Sequence, residues 1–195
     1  MCTGDATDAR LVNEELWRGA PKVFGDIQRM PYVELQSLND AILGPGACNY
    51  TKGGYLGQIT SDCIEALIDS ARRLPSPLSV VEFSYQHAAQ DRLAEDDTAF
   101  PDRHADHFIN VLARWHPDDE WQPHIDWARD TFAATSRWQT GGVYSNFLAV
   151  DDDSRVRHAY RGGKYQRLAT IKAKFDPDNV FNSNPNIKPC AALAN

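Results

Sequence analysis

The sequence Gly-Gly-Val-Tyr-Ser-Asn-Phe-Leu occupies residues 141–148. The prediction of the fold starts from this stretch. Its β-branched and aromatic residues predict a strand over Gly142–Leu148. Successive side chains of a strand point to opposite faces, so Tyr144 and Asn146 would share one face and Ser145 the other. A phenol and a carboxamide directed at a common space can bind a flat polar heterocycle. The same pair can instead satisfy polar groups of the sheet itself, and spacing alone favours that simpler role.

The sequence Ile-Lys-Ala-Lys-Phe-Asp-Pro-Asp-Asn-Val-Phe follows at residues 171–181. It closes a helix that we predict over Tyr165–Phe175, because the four residues 176–179 have the composition of a turn. Lys172 and Lys174 would lie in the last helical turn, where cations complement the helix dipole. This stretch therefore indicates the end of a helix and a turn, and no catalytic role. The Asn- and Pro-rich tail after it is expected to be extended.

The rest of the chain mixes helical and extended patterns. Apolar periodicity and turn residues predict helices over Thr7–Arg18, Tyr32–Leu43, Ser61–Leu74, Asp118–Ser136 and Asp151–Tyr160. Further strands are predicted over Leu78–Tyr85 and Phe108–Trp115, an extended or looped piece over Asn49–Gly57, and a polar loop over Asp91–Arg103. This order predicts an α+β fold rather than an alternating parallel one.

Composition excludes several classes of function. The chain has 195 residues, a net charge of −7 and a pI of about 5.3, so it lacks the basic character of nucleic-acid-binding proteins. No stretch approaches the ~20 apolar residues of a membrane helix. The four cysteines have no CxxC spacing and the N-terminus does not resemble a signal peptide. We expect a soluble cytoplasmic protein, or a piece of one.

Local motifs for other chemistry are weak. Gly162-Gly163-Lys164 could bind an anion at a helix start, although a turn between helices is favoured. His104 and His107 stand beside Asp102 and Asp106 and resemble half of a metal site, but no HExxH motif or matching second pair is present. The sequence therefore predicts no metal.

Four segments in order resemble the C-terminal part of the berberine-bridge-enzyme-like FAD-linked oxidases, within the vanillyl-alcohol-oxidase superfamily. They carry, in turn, a Y-x-N-[YF] motif, the helix after it, a K-x-K-[FY]-D-P-x-N-x-F core and a closing motif similar to N-Q-N-I-x-P. In this sequence they are Gly141–Leu148, Asp153–Tyr160, Ile171–Phe181 and Asn184–Pro189. Looser similarity at Pro31–Ser37, Leu74–Ser79 and Thr98–Pro101 extends the resemblance over nearly the whole chain.

This resemblance implies an antiparallel β-sheet flanked by helices, with a C-terminal helical and extended berberine-bridge segment. Residues 1–140 would form a partial substrate-binding domain, and residues 141–195 a berberine-like segment packed on the same sheet. In the family, a larger N-terminal domain holds the FAD. The resemblance places that domain outside this chain, so FAD is not expected to bind to this chain alone.

The resemblance also assigns the candidate site. Tyr144 is the candidate catalytic residue, and Asn146 would face the flavin and the substrate. Asn184 and Asn186 are candidate cofactor-binding residues on a return segment that packs against the FAD domain. Phe147 stands where the family often has a tyrosine that acts as the general base, and a phenylalanine cannot accept a proton. Pro185 replaces the glutamine of the closing motif.

The implied function is FAD-dependent oxidation of an alcohol, sugar or amine-type small molecule, with hydride transfer to the flavin. The chain would be the substrate-side portion of a truncated or split oxidoreductase, inactive without an FAD domain. Its expected partners are the substrate, a separately encoded FAD domain and a second copy of itself. We expect it to bind neither nucleic acid nor a membrane. The alternative is a non-enzymatic module that binds a small ligand or dimerises.

Overall fold

The computed structural model describes residues 6–18, 28–100, 102–149, 151–161, 163–183 and 185–190. The chain divides into two compact units, residues 1–44 and residues 45–195. The described residues of the first unit form helices α1 (Ala6–Arg18), α2 (Tyr32–Ser37) and α3 (Asp40–Leu43). Helix α1 confirms the first predicted helix.

The single helix predicted over Tyr32–Leu43 was wrong, because the structure has two short helices there. The Ser37 hydroxyl donates a 2.9 Å hydrogen bond back to the Val33 carbonyl. Asn39 then leaves the helical conformation, with φ −100° and ψ 0°. Serine and asparagine both compete with helical hydrogen bonding, so the apolar periodicity alone overestimated the length of this helix.

The second unit is built on a three-stranded sheet with helices. Its elements are β1 (Cys48–Leu56), α4 (Ser61–Ala71), β2 (Val80–Tyr85), β3 (His107–Trp115), α5 (Gln122–Ala134) and α6 (Lys164–Phe175). The strand order is β1-β3-β2, and both pairs are antiparallel. The predicted α+β class with an antiparallel sheet and flanking helices is confirmed.

Local sequence explains several of these elements. The Thr60 hydroxyl caps α4 by accepting a 3.3 Å hydrogen bond from the Cys63 N–H. The predicted helix over Asp118–Ser136 is shorter in the structure and forms α5, while α6 and strands β2 and β3 lie within about two residues of their predicted bounds. The extended piece near Asn49 is strand β1.

The two faces of the sheet differ in their environment. One face packs against α4 and α5, and we call it the helix face. It carries a buried apolar cluster with Tyr50, Leu56, Ile109, Val111, Ala113 and Trp115, which joins Trp127 and Ala128 of α5 and Cys63 of α4. The opposite face is called the open face here. Because directly paired residues share a face, the pairs Gly53↔Asn110 and Glu82↔Asn110 place these three residues there.

Two predicted elements near the C-terminus were wrong. Residues Ser145–Phe147 form one turn of 3₁₀-helix instead of the middle of a strand. Residues 151–160 contain two 3₁₀ turns, at Asp153–Arg155 and His158–Tyr160, instead of an α-helix. Both segments follow the outer edge of β1, where contacts with distant residues override local preference.

Within the described residues, no helix is long and apolar enough to cross a membrane. Cys48, Cys63 and Cys190 are free thiols, while Cys2 lies outside the described residues. Cys63 is fully buried in the apolar cluster on the helix face, where it packs as a small hydrophobic residue.

Candidate functional site

The site is organised by the edge segment, which we define as residues 141–149, running along the outer edge of β1. The Tyr55 N–H donates a 3.3 Å hydrogen bond to the Gly142 carbonyl, and the Thr140 N–H donates a 3.0 Å bond to the Tyr55 carbonyl. The chain then turns, because the Phe147 N–H donates back to the Tyr144 carbonyl at 3.0 Å. The turn lays the side chains of the edge segment over the open face.

An aromatic cluster forms where the edge segment meets the open face. The Phe147 ring lies 5.2 Å from the Phe108 ring and 5.4 Å from the Tyr144 ring. Phe100, from the loop between β2 and β3, makes an edge contact of 5.7 Å with Tyr144. The Tyr55 ring lies 5.3 Å from Phe108 on the same face. These rings hold Tyr144 between the sheet and the loop.

Tyr144 and Asn146 are brought together, although not by the strand that the sequence predicted. The Asn146 Nδ2 donates a 3.1 Å hydrogen bond to the Tyr144 hydroxyl. The Asn146 side chain is exposed and lines a cavity of about 570 Å³ with Thr51, Leu112 and Leu148. The amide therefore connects the phenol with a space large enough for a small ring system.

A row of polar side chains crosses all three strands on the open face, and the sequence analysis missed it. The Thr51 hydroxyl donates a 2.7 Å hydrogen bond to Asn110 Oδ1. The Asn110 Nδ2 donates a 3.2 Å bond to Glu82 Oε2. Asn110 is 5% exposed and Glu82 is exposed. The sequence does contain a signal for this row. Asn110 interrupts the largely apolar strand β3, and Glu82 interrupts β2.

Glu82 has the chemistry of a base on this row. Its Oε1 accepts a 3.2 Å hydrogen bond from the Ser84 hydroxyl, and its Oε2 accepts from Asn110. Both partners are neutral, so they orient the carboxylate without neutralising its charge. An oriented carboxylate can accept a proton from a hydroxyl or bind an ammonium group. Phe147, by contrast, offers only ring carbon.

The other predicted cofactor-binding residues lie apart from this row. Asn186 lines a second cavity of about 430 Å³, together with Arg157, Tyr165 and Lys188. Its Oδ1 is buried and has no hydrogen-bond partner among the described residues. Asn184 lies outside the described residues. The two cavities share Leu148, Ala149 and Pro185 in their walls, so Asn146 and Asn186 line adjoining cavities.

Two buried polar groups lie beneath the start of the edge segment. Tyr55 is fully buried, and burial, reinforced by the charge of Asp102, raises the pKa of its phenol. Burial also raises the pKa of Asp102, against the opposing effect of Arg161 at 3.3 Å. A Cβ added at Gly142 would lie 2.2 Å from Asp102 Oδ2. A side chain added at position 142 would therefore displace the Asp102 carboxylate from its present position.

An ion network fastens the chain after the edge segment to the helix face. The buried Lys52 Nζ lies 3.0 Å from Asp151 Oδ1 and 2.7 Å from Asp152 Oδ1. Arg129 of α5 binds Asp151 at 2.6 Å, and the Tyr50 hydroxyl donates to the same carboxylate at 2.9 Å. Lys52 thus binds two adjacent aspartates where the structure has 3₁₀ turns instead of the predicted helix.

The network predicts a defined response to acid. Partial burial favours the neutral form of Asp151, but hydrogen bonds from Arg129, Lys52 and Tyr50 outweigh it and hold the pKa of Asp151 well below its usual range. Because the folded-state pKa is depressed, the resulting stabilisation is present above the unfolded value of about 3.9 and is lost as the pH falls further. We expect Asp151→Asn to flatten the decline of stability between about pH 5 and about pH 2, as measured by urea unfolding. The exposed Asp118→Asn should leave that slope unchanged, and equal slopes in both variants would contradict the assignment.

Gly53 predicts a second measurable effect. A Cβ at Gly53 would lie 2.8 Å from the Phe147 Cβ and 3.0 Å from the Phe108 Cζ. Gly53→Ala should therefore displace the edge segment and destabilise the fold by about 1–3 kcal/mol, as overpacking commonly does. Gly57→Ala is the matched control, because its Cβ would have ordinary contacts at 3.7 Å and 3.8 Å. Thermal unfolding of both variants tests this, and a neutral Gly53→Ala would show that the edge segment is not held against β1.

Comparison with known proteins finds similarity in sequence and in fold. The family described as "Berberine and berberine like" matches residues 143–188. An FAD-linked oxidoreductase of Dictyostelium discoideum is 29% identical over 174 residues, which cover 88% of this chain and 37% of that protein. The chain thus spans well under half the length of this curated relative.

Solved structures show the same fold. Berberine bridge enzyme from Eschscholzia californica has a TM-score of 0.79 at 18% identity, covering 98% of this chain and 45% of that one. The 6-hydroxy-D-nicotine oxidase of Arthrobacter nicotinovorans has a TM-score of 0.70 at 23% identity, covering 96% of this chain and 43% of that one.

The matched segment, the curated relatives and the fold are together similar to part of an FAD-linked oxidoreductase. Within that class the likeness is to the berberine-bridge-enzyme-like oxidases, as the motifs of residues 141–189 indicated.

Proposed function

We propose that this chain is the substrate-side portion of an FAD-dependent oxidoreductase that oxidises an alcohol, a sugar or an amine-type small molecule. The proposal rests on one observation above all. The Tyr144–Asn146 pair and the Thr51–Asn110–Glu82 row lie on the same open face of the sheet. A face that combines aromatic rings, an amide and an oriented carboxylate suits a flat cofactor with a polar substrate beside it.

The residues present fit a flavin ring. A flavin carries both N–H and C=O groups, and the exposed Asn146 amide offers partners for both beside a cavity of about 570 Å³. The unpartnered Oδ1 of Asn186 in the adjoining cavity is a further acceptor. When bound, FAD would supply the hydride acceptor. Asn146 would hold the ring system, with Asn184 and Asn186 on the return segment.

Side chains of this chain would carry out proton transfer, substrate positioning and the exclusion of water. Glu82 would accept the proton of the reacting hydroxyl or hold the amine, with Asn110 and Thr51 fixing its direction. Tyr144 would position the substrate through its hydroxyl, which Asn146 orients. The rings of Phe147 and Phe108 would exclude water from one side of the reacting centre. A partner that holds FAD, on the same or a separate chain, would complete the site.

The test is reconstitution with an FAD-binding portion of a relative. The chain and that portion would be co-expressed, purified as a complex, and mixed anaerobically with alcohols, sugars and amines. We expect one substrate class to bleach the flavin absorption band at about 450 nm. Glu82→Gln should slow bleaching by about 10²–10⁴-fold if Glu82 is the base, and Glu65→Gln on α4 should not. A flavin-loaded complex that no substrate class reduces would contradict the proposal.

A second candidate function is a module that dimerises or binds a small ligand without catalysis. The observation that favours it is the exposure of large apolar side chains on the edge strand β2, where Phe83 is 45% exposed and Tyr85 is 63% exposed. Such surfaces often mark interaction sites. Light scattering of the purified chain decides this question, because a monomer at high concentration would remove the dimer from consideration. We further propose a cytoplasmic location, which fractionation would test.

A further inference from the structure

A group of potential metal ligands lies outside the site, at the base of the long connection between β2 and β3. His87 follows β2, Asp91 lies in the short turn after it, and Asp106 precedes β3. One imidazole nitrogen and two carboxylate oxygens from these residues lie within 4.8 Å of one another. We propose that His87, Asp91 and Asp106 bind a divalent transition-metal ion such as Zn²⁺.

Two of the three ligand separations lie near the spacing of a tetrahedral zinc site, and the third is no more than 4.8 Å. The His87 Nδ1 lies 2.7 Å from Asp91 Oδ2 and 4.0 Å from Asp106 Oδ1. Ligands about 2.1 Å from a tetrahedral zinc lie about 3.4 Å from one another, so each of these separations differs from that value by only about 0.6–0.7 Å. Small side-chain rotations would bring three ligands onto one ion, and water would fill the fourth position.

Asp91 supplies an independent observation. Its Oδ1 is buried and has no hydrogen-bond partner among the described residues, although its Oδ2 is paired with His87. A carboxylate oxygen hidden from solvent without a donor is destabilising, and a bound cation would compensate its charge. The mixture of one imidazole and two carboxylates suits Zn²⁺ better than an ion that prefers oxygen ligands alone.

The histidines that the sequence singled out do not form this site. His107 instead lies between the rings of Phe83 and Tyr85, with centroid distances of 5.5 Å and 5.3 Å. His104 is exposed in the loop. The sequence did not single out His87, because Asp106 approaches it only after the loop has folded back on β3.

A metal here would act on the candidate site through the loop. The Gln86 N–H donates a 2.7 Å hydrogen bond to the Asp106 carbonyl, which closes the base of residues 86–106. The same loop carries Phe100 against Tyr144 and Asp102 beside Gly142. An ion that joins both ends of the loop to its first turn would hold these contacts in place without touching the substrate.

The test is calorimetric titration of the full chain, free of any affinity tag, with ZnCl₂. We expect one ion per chain and a higher melting temperature with Zn²⁺. His87→Ala and Asp91→Asn should each weaken binding by at least about tenfold, since even outer-shell changes cost 10–100-fold. The matched control is His104→Ala, which removes another exposed imidazole from the same loop and should bind as the unaltered chain does.

The outcomes separate the alternatives. Absence of Zn²⁺ binding would overturn the proposal and leave the His87–Asp91 contact as a structural hydrogen bond only. Binding that persists in His87→Ala, or that His104→Ala abolishes equally, would place the ion elsewhere and also overturn it. Circular dichroism of each variant checks folding, and Asp106→Asn provides a further ligand variant if Asp91→Asn does not fold.

Discussion

Replacing Trp127 with alanine is expected to lower the free energy of unfolding by about 3–5 kcal/mol. Trp127 lies in the middle of α5 with only 8% of its surface exposed, and it joins the apolar cluster on the helix face. Removal of an indole from a packed core leaves a cavity that the surrounding side chains fill only in part. Urea unfolding followed by circular dichroism measures this loss.

Trp127 also ties two helices together. Its Nε1 donates a 3.0 Å hydrogen bond to the Ser70 carbonyl near the end of α4. Trp127→Phe keeps most of the ring but removes the donor, so it should cost less than the alanine variant. The Ser70 carbonyl retains a 3.1 Å bond from the Arg73 N–H, which limits the penalty of that loss.

Trp121 is the matched control, because it precedes the same helix and is 55% exposed. Trp121→Ala should change stability by no more than about 0.5 kcal/mol, as expected for a surface position. Similar losses in Trp127→Ala and Trp121→Ala would show that α5 is not packed against the sheet as described.

Replacing Lys52 with methionine is the second change with a large expected effect. Lys52 is 8% exposed, and its ammonium group lies between Asp151 and Asp152. Burial lowers the pKa of Lys52, but its hydrogen bonds to the two aspartates and to Tyr50 outweigh burial and raise it. Removal of one partner from a buried pair leaves the other charge uncompensated, which costs about 3–5 kcal/mol.

Most of that cost should arise at Asp152, which is 5% exposed. Its remaining partners are Arg155 at 3.4 Å and the Ala149 N–H at 3.1 Å. Asp151 keeps Arg129 and is more exposed. The combined variant Lys52→Met with Asp152→Asn should therefore recover part of the loss, because it removes the uncompensated charge.

Arg72→Ala is the control for Lys52→Met. It breaks a 3.1 Å ion pair with Asp69 in which both side chains are largely exposed. Exposed pairs contribute about 0–1 kcal/mol, so we expect little change in the urea midpoint. If Lys52→Met were equally mild, the link between β1 and the chain after the edge segment would be weaker than the contacts indicate.

The family resemblance and the fold class followed from local sequence. The motif of residues 171–181 carries that resemblance, and in the structure its residues also interact with one another. Lys172 pairs with Asp176 at 2.5 Å, and Asp176 accepts hydrogen bonds from the Val180 and Phe181 N–H groups at 2.8 Å and 3.1 Å. Helices α4 and α6 and strand β3 were likewise predictable, because their apolar periodicity matches the surface that they bury.

The candidate site was only partly predictable from the sequence. Tyr144 and Asn146 are two residues apart, so any compact local conformation keeps them within reach of each other. Their roles as catalytic and cofactor-binding residues remain predictions. The Thr51–Asn110–Glu82 row joins residues separated by 59 and 28 positions, and only the strand register aligns them.

The sequence by itself determined which residues carry the family's motifs, since these depend on contacts within one or two turns. Tertiary structure alone decided the path of the edge segment. Phe147 packs on Phe108 above Gly53, and Asp151 and Asp152 reach Lys52, about 100 residues earlier in the chain. These distant contacts replaced the predicted strand and helix with turns, because packing and buried charge outweigh the small differences in local propensity.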